Sequence, residues 1–449
     1  MKRRSNGRAR LCVSTVFVLV CGTLTAVACG GDKESPKTPE RPATSATETS
    51  TGAPSSAPSI DTAVENVKSD VSGAARGAYD RGFEAWRNGD LPGARTAFRE
   101  AADKDMSAPA PLYSLGAVLE RLGENSQAER AYRDALSADG KFELAAGALA
   151  LLLARTGHVR DAESLLNDKL KTTPDSAHLK TYLAEVKSIS GDSGAAQKLA
   201  QEVLRAHPDA KEAMVAIARD HYRAHRFDVA LYAVSAIVDG SPSNNIPARD
   251  RDNAEVRLLR GLIRRELGLR TQALTDFDEA SARRPDLFEA YVNVGEMRLE
   301  AGNAQDALNP LERAVRYSPA SAIAHLDLGD CYRVLGRPSD AKRELDAALR
   351  QDSSLSQVHY NLGLLYLYTP SVPGVANREE QIGLAIKEFE AFKSQKSSAK
   401  GPGDDVDELL STTKRKQAEI RVKKQAESAA TTGTASPPAP GAKKDGGAQ

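Results

Sequence analysis

The 449 residues carry 61 basic and 61 acidic side chains, with 41% hydrophobic residues and only 5% aromatic ones. All five charged residues among the first 28 are basic, so the remainder holds 56 basic against 61 acidic groups. That mildly acidic balance argues against a polyanion-binding chain, whether the polyanion is nucleic acid or an anionic lipid surface.

At the N-terminus, Lys2, Arg3, Arg4, Arg8 and Arg10 precede the largely apolar run Leu11 to Val20, and Ala26-Val27-Ala28-Cys29 follows. A basic start, an apolar middle and small residues at the cut predict a secretory signal peptide over residues 1–28. From 29 to 59 the chain is Thr, Ser, Pro, Glu, Lys and Ala with almost no large apolar residue, which predicts a disordered tether. Residues 60–74 read as a possible N-terminal capping helix, with Asp61 as its cap and Val64, Val67 and Val71 on one face.

The long middle of the chain is periodic. Gly82, Gly116, Ala150, Ala184, Ala218, Gly261, Gly295, Gly329 and Gly363 form a ladder with a 34-residue step, interrupted once by a 43-residue step between Ala218 and Gly261. Around each rung, apolar residues at helical spacing form one stripe before a glycine and a second stripe after it, as with Leu112, Leu115 and Leu119 before Gly123 and Ala128, Tyr132 and Ala135 beyond it. Each unit is therefore predicted to be a helix, a turn and a second helix. The turn glycine recurs at Gly89, Gly123, Gly157, Gly191, Gly268, Gly302 and Gly336, where a left-handed residue ends the first helix. Pro174, Pro208, Pro242, Pro285 and Pro319 close most units, whereas Pro310 falls inside a second helix and predicts a kink or a delayed start.

Units one to five span 75–244, an insertion occupies 245–253, and units six to nine span 254–396, with a further insertion at 369–381 inside the ninth. The first insertion reads equally as a hinge or a longer connection; the second is a candidate contact loop or a passive insertion. Residues 404–428 predict a polar C-terminal helix, whose Lys414, Arg415, Lys416, Lys423 and Lys424 either face water or meet an anionic partner, and 429–449 a disordered Pro/Gly/Ala tail.

Chemistry is sparse. The sequence holds no glycine-rich phosphate loop, no cysteine pairs at zinc spacing and no nucleophile with a recognisable base, so no enzyme activity and no cofactor are expected. His221 and His225 share a helical face and are the best metal candidate, against a plain reading as surface or groove histidines. His325 and His359 lie one period apart, which asks only for a structural explanation, and Cys331 beside Gly329 reads as a packed small side chain.

The ladder, the Ala and bulky apolar pattern of the second helices and the closing prolines resemble tetratricopeptide (TPR) repeats. The resemblance implies an all-α superhelical solenoid of about nine helix-turn-helix repeats, with first helices lining a concave groove that binds peptides or helices of other proteins. On that groove it places Tyr79, Phe83, Trp86 and Tyr113 at one end; the same four side chains are equally explained by packing beneath the capping helix. Toward the other end it places Asn293, Asp327 and Asn361 at one equivalent inner position, like the asparagine ladders that hold a peptide backbone in some relatives. Tyr360 and Tyr368 add apolar surface there, and Glu296 and Asp330, with Glu289 and Glu300, make the mid-groove acidic and suited to a basic or amphipathic partner.

The segment Ala26 to Cys29 resembles a bacterial lipobox, with Cys29 as the lipidated mature N-terminus, and Gly30 after it resembles an outer-membrane sorting signal. The whole organisation is similar to TPR lipoproteins of the gliding-motility or type IV pilus pilotin type. It implies a scaffold held by its lipid on the periplasmic face of the outer membrane, with envelope proteins as partners and neither nucleic acid nor a small-molecule substrate. An adaptor for peptidoglycan enzymes or for barrel assembly in the outer membrane is the alternative reading.

Overall fold

The computed structural model describes residues 71–240, 247–395 and 405–432. The leader, Cys29, the tether, most of the 60–74 segment, Asn245 and Ile246 of the first insertion and the tail beyond 432 lie outside the described residues. Every element described is helical. The first five pairs are α1 (Gly73–Arg87) with α2 (Leu91–Lys104), α3 (Pro109–Arg121) with α4 (Asn125–Ala138), α5 (Glu143–Arg155) with α6 (Val159–Thr172), α7 (Ala177–Ile189) with α8 (Ser193–Ala206), and α9 (Lys211–Arg223) with α10 (Phe227–Val238). Beyond the insertion come α11 (Ala254–Glu266) with α12 (Arg270–Arg283), α13 (Phe288–Glu300) with α14 (Ala304–Tyr317), α15 (Ala322–Val334) with α16 (Pro338–Gln351), and α17 (Ser356–Tyr368) with α18 (Arg378–Gln395). A final helix, α19 (Val406–Thr432), follows.

The glycine rungs of the ladder are small because each faces a large side chain of its own second helix. A Cβ on Gly116 would stand 2.5 Å from the Tyr132 ring, and one on Gly295 would stand 2.4 Å from Leu311. Both partners lie 16 residues downstream, and Gly82 against Phe98, Gly261 against Phe277 and Gly329 against Leu345 repeat the relation. In the fourth unit the rung is Ala184 and the residue 16 positions on is Ala200, and the two share one core cluster.

The ends of the first helices show the same economy with local exceptions. Seven units close with a glycine at φ between 70 and 88°. In the fifth unit that position is His225, at φ 55°, a conformation that costs a side-chain-bearing residue energy. The ninth unit uses neither device: Arg378 donates to the carbonyls of Tyr366, Leu367 and Thr369 at 2.6 to 3.1 Å, and the Gln381 Nε2 donates to two of the same carbonyls. The 369–381 insertion therefore supplies the donors that the end of α17 lacks.

Pro310 lies within α14, which runs from Ala304 to Tyr317, so the proline does not delay the start of the helix. Proline has no N–H for the Asp306 carbonyl one turn back, and Arg298 of α13 donates to that carbonyl at 2.9 Å instead. At the other insertion, the amides of Arg249 and Asp250 both donate to the Ile237 carbonyl, and Lys211 pairs with Asp250 at 2.6 Å. Val234, Ile237 and Val238 of α10 pack with Val256, Leu259 and Ile263 of α11, so the core continues across the added residues.

Candidate partner-binding surface

Two kinds of helix build this surface. The second helices are buried on one stripe and exposed on the other, whereas several first helices, α5 and α13 among them, are buried along most of their length. In α5 every residue from Ala145 to Ala154 is buried, and α13 is buried from Ala290 to Met297.

Much of the inner wall is a chain of ion pairs. Arg219 of α9 donates to Glu185 of α7 at 2.7 Å and to Glu255 of α11 at 3.4 Å; Arg284 then bridges Glu255 at 2.6 Å and Asp286 at 2.9 Å. Burial raises the Glu185 carboxyl's pKa, but the guanidiniums of Arg219 and Arg223 outweigh it and hold the group below its ordinary value. Asp286 is likewise held low, Arg284 overcoming the effect of burial, while the two carboxylates beside Arg284 raise its own pKa against burial.

The inner carboxylates named from sequence are paired in the same way, so the mid-groove is not the free acidic surface expected. Arg265 donates to Glu296 at 2.6 Å and to the Asn293 Oδ1 at 2.8 Å, Arg333 pairs with Asp330 at 2.7 Å, and Arg270 pairs with Glu300. Asn293 also donates its Nδ2 to the Glu289 carbonyl. Asn293, Asp327 and Asn361 do share one register, but they are 7%, 3% and 4% exposed. An amide ladder open to a peptide backbone would need more exposure than that.

At the N-terminal end the four aromatic residues are core. Tyr79 and Trp86 are each 1% exposed and Phe83 and Tyr113 are buried with them; Tyr79 packs on Phe98 and shares a hydrogen bond with Ser114. Tyr113 stacks edge-on against Phe142. At the C-terminal end, α19 covers the last pair. Val406, Leu409 and Leu410 join Phe389 and Phe392 in one cluster, and the Tyr360 hydroxyl donates to Asp405 at 2.9 Å. Of the basic cluster, Lys414 pairs with Glu390, Lys424 joins Arg421 on Glu379, and Lys416 lies over the Tyr368 ring. Tyr368 is the exposed member of the predicted groove set, at 41%, and Val334, at the same place one unit earlier, is 46% exposed.

The remaining candidates have structural roles. His221 accepts a hydrogen bond from Arg226 at its Nδ1, His225 forms the left-handed turn, and no metal-binding cluster occurs among the described residues. His325 and His359 each place Nδ1 on a glutamate of the paired second helix, Glu344 at 2.8 Å and Glu388 at 2.6 Å. Cys331 donates to the Ala304 carbonyl, and burial pushes its thiol pKa up to about 12.

Sequence reasoning missed a contact between the beginning and the end of the array. Arg121, at the end of α3, pairs with Glu289 at 3.3 Å and lies over the Phe288 ring, 5.0 Å from its centroid. The Tyr317 hydroxyl donates to the Arg87 carbonyl at 3.2 Å. Gly89 fits against Tyr317 and Gly123 against Ala320, where an added Cβ would clash, whereas the same turn glycine in units three, four, six, seven and eight meets nothing within 4 Å. The superhelix thus completes a turn and touches itself, leaving beside the contact a cleft of about 250 Å³ lined by Glu120, Arg121, Arg155 and Ser318 among others. Contacts 168 and 230 residues apart leave no local sequence signal.

Comparison with known proteins supports the architecture. Models described as tetratricopeptide repeat match residues 79–143, 190–245 and 258–311, and, for a second model, 298–362. Among solved structures, one described as an APC/C hetero-tetramer, Cut9-Hcn1, is 13% identical, with 79% of this chain and 80% of that one covered at a TM-score of 0.50. A tetratricopeptide repeat protein from Parabacteroides merdae is 16% identical over 59% of this chain and 95% of its own, with a TM-score of 0.37. MamA is 19% identical over 38% of this chain and 95% of its own, with a TM-score of 0.32. No curated protein matches. The repeat matches and the helix pairs together make this chain a member of the tetratricopeptide-repeat family, whose fold is typically a non-catalytic scaffold for protein interaction.

Proposed function

We propose that the protein is a lipid-anchored scaffold that gathers other proteins of a bacterial cell envelope, with Cys29 as the attachment point. The carrying observation is an order of segments: a leader ending Ala26-Val27-Ala28-Cys29, about thirty tether residues, then an array of tetratricopeptide repeats. Such a tether keeps the array near the membrane while leaving it free to turn. Within the array, Tyr368, beside α19, and Val334 one unit earlier supply exposed apolar surface, and a partner segment with an apolar anchor fits there.

Assembly of a gliding-motility or type IV pilus machine is the specific reading, on the outer membrane's periplasmic face. In-cell crosslinking followed by identification of the captured proteins tests it. Motility or secretin components support it; wall hydrolases or barrel-assembly factors replace it with the adaptor reading. Replacing Cys29 by Ala should release the protein from the membrane fraction, and an unchanged membrane fraction would remove the lipid from the proposal. Tyr368→Ala should lower partner capture without loss of helicity.

A further inference from the structure

We infer that the self-contact of the superhelix is a latch: the array exchanges between this closed turn and an open one in which the inner wall is accessible. The inference goes beyond the scaffold reading and needs no partner for its test.

Three observations carry it. First, the contact is thin. Within a unit, two helices pack along their whole length, but no helix of the first two units lies along any of α13 to α16; only turn edges and side chains meet. Second, the contact is polar and incompletely satisfied. Arg121 is 4% exposed and pairs with Glu289 through Nη1, while its Nη2 and the Glu289 Oε2 are both buried without a hydrogen-bond partner. Closing therefore strips water from two charged groups and returns only part of their hydrogen bonding, so opening recovers solvation that an apolar seam would not. Third, the cleft of about 250 Å³ runs beside this pair, giving water a route to the atoms that lack partners. Within each unit the two helices pack along their length and large side chains seat on glycine backbones, so opening at the seam leaves each helix pair intact.

The protein carries a built-in reference for this motion. Cys331 is fully buried in the core between the seventh and eighth units and becomes reactive only when that core unfolds. Ser318 is 6% exposed and lines the seam cleft, so a Ser318→Cys variant of the full chain reports opening of the seam. The two thiols are followed in one sample with an alkylating reagent, each cysteine read by mass spectrometry. The latch predicts that the introduced cysteine reacts at least about tenfold faster than Cys331. Adding Glu289→Gln, which keeps the side-chain shape, or Arg121→Gln should speed the introduced cysteine about tenfold further and leave Cys331 unchanged. Equal rates at the two cysteines would overturn the latch, because the seam would then open only with the core. A fast introduced cysteine that neither variant accelerates would overturn it as well, because the Arg121–Glu289 pair would not be what holds the turn closed.

Discussion

The packing inside a unit and the seam between the two ends of the array are both close contacts, but they are made of opposite materials. Inside a unit, an aromatic ring or a leucine lies on a bare stretch of helix backbone, as Tyr132 does on Gly116, and apolar packing runs the length of the helix pair. At the seam, an arginine, a carboxylate and a tyrosine hydroxyl meet the edges of two turns. Dispersion and apolar burial grow with the whole helix length, whereas the seam depends on a few polar groups that water can replace. On the latch proposal, the array is stiff over one repeat and soft over one superhelical turn.

That contrast can be broken from the stiff side first. Gly116→Val places carbon within 2.5 Å of the Tyr132 ring, and should cost about 3 kcal/mol or more, read as a lower denaturation midpoint with loss of helicity in the second unit. A smaller effect is expected where one side chain replaces a glycine turn. Arg378→Met removes the donor to three carbonyls at the end of α17 and should destabilise the ninth unit by about 2–3 kcal/mol, measured by chemical denaturation and by faster hydrogen exchange in α17 and α18.

Acid sharpens the inner wall. Glu185 and Asp286 have folded-state pKa values below their unfolded ones, so their contribution is complete above the ordinary carboxylate range near pH ~4 and is lost as pH falls through the lowered folded values. Denaturation midpoints should hold steady from about pH 7 to pH 5 and drop below pH ~4; a flat profile into acid would mean that these pairs do not support the wall. The smallest effect runs the other way: His225→Gly relieves the left-handed side chain at the end of α9 and should raise stability by about 1 kcal/mol.

What is legible in the sequence follows the same division. The ladder, the turn glycines and the apolar stripes are local and periodic, so nine helix pairs can be read from residue spacing alone. Even the exceptions have local causes: the fifth unit lacks its turn glycine, and the residue in that place is His225, half of the candidate metal pair. The inner wall is less legible. The register of Asn293, Asp327 and Asn361 follows from spacing, but their burial does not, and the partner of Asn293 is Arg265, 28 residues away. Spacing groups Tyr79, Phe83, Trp86 and Tyr113 as neighbours, yet apolar spacing alone does not separate a groove wall from a core. The seam is not legible at all, since the Arg121 and Glu289 that form it are single charges among many.

Small-angle scattering of the wild type beside Arg121→Gln and Glu289→Gln, with circular dichroism on the same samples, tests the contrast most directly. The account predicts a larger radius of gyration in both variants with unchanged helicity, because the turn opens while every helix pair persists. Unchanged dimensions, or expansion accompanied by loss of helix, would contradict it.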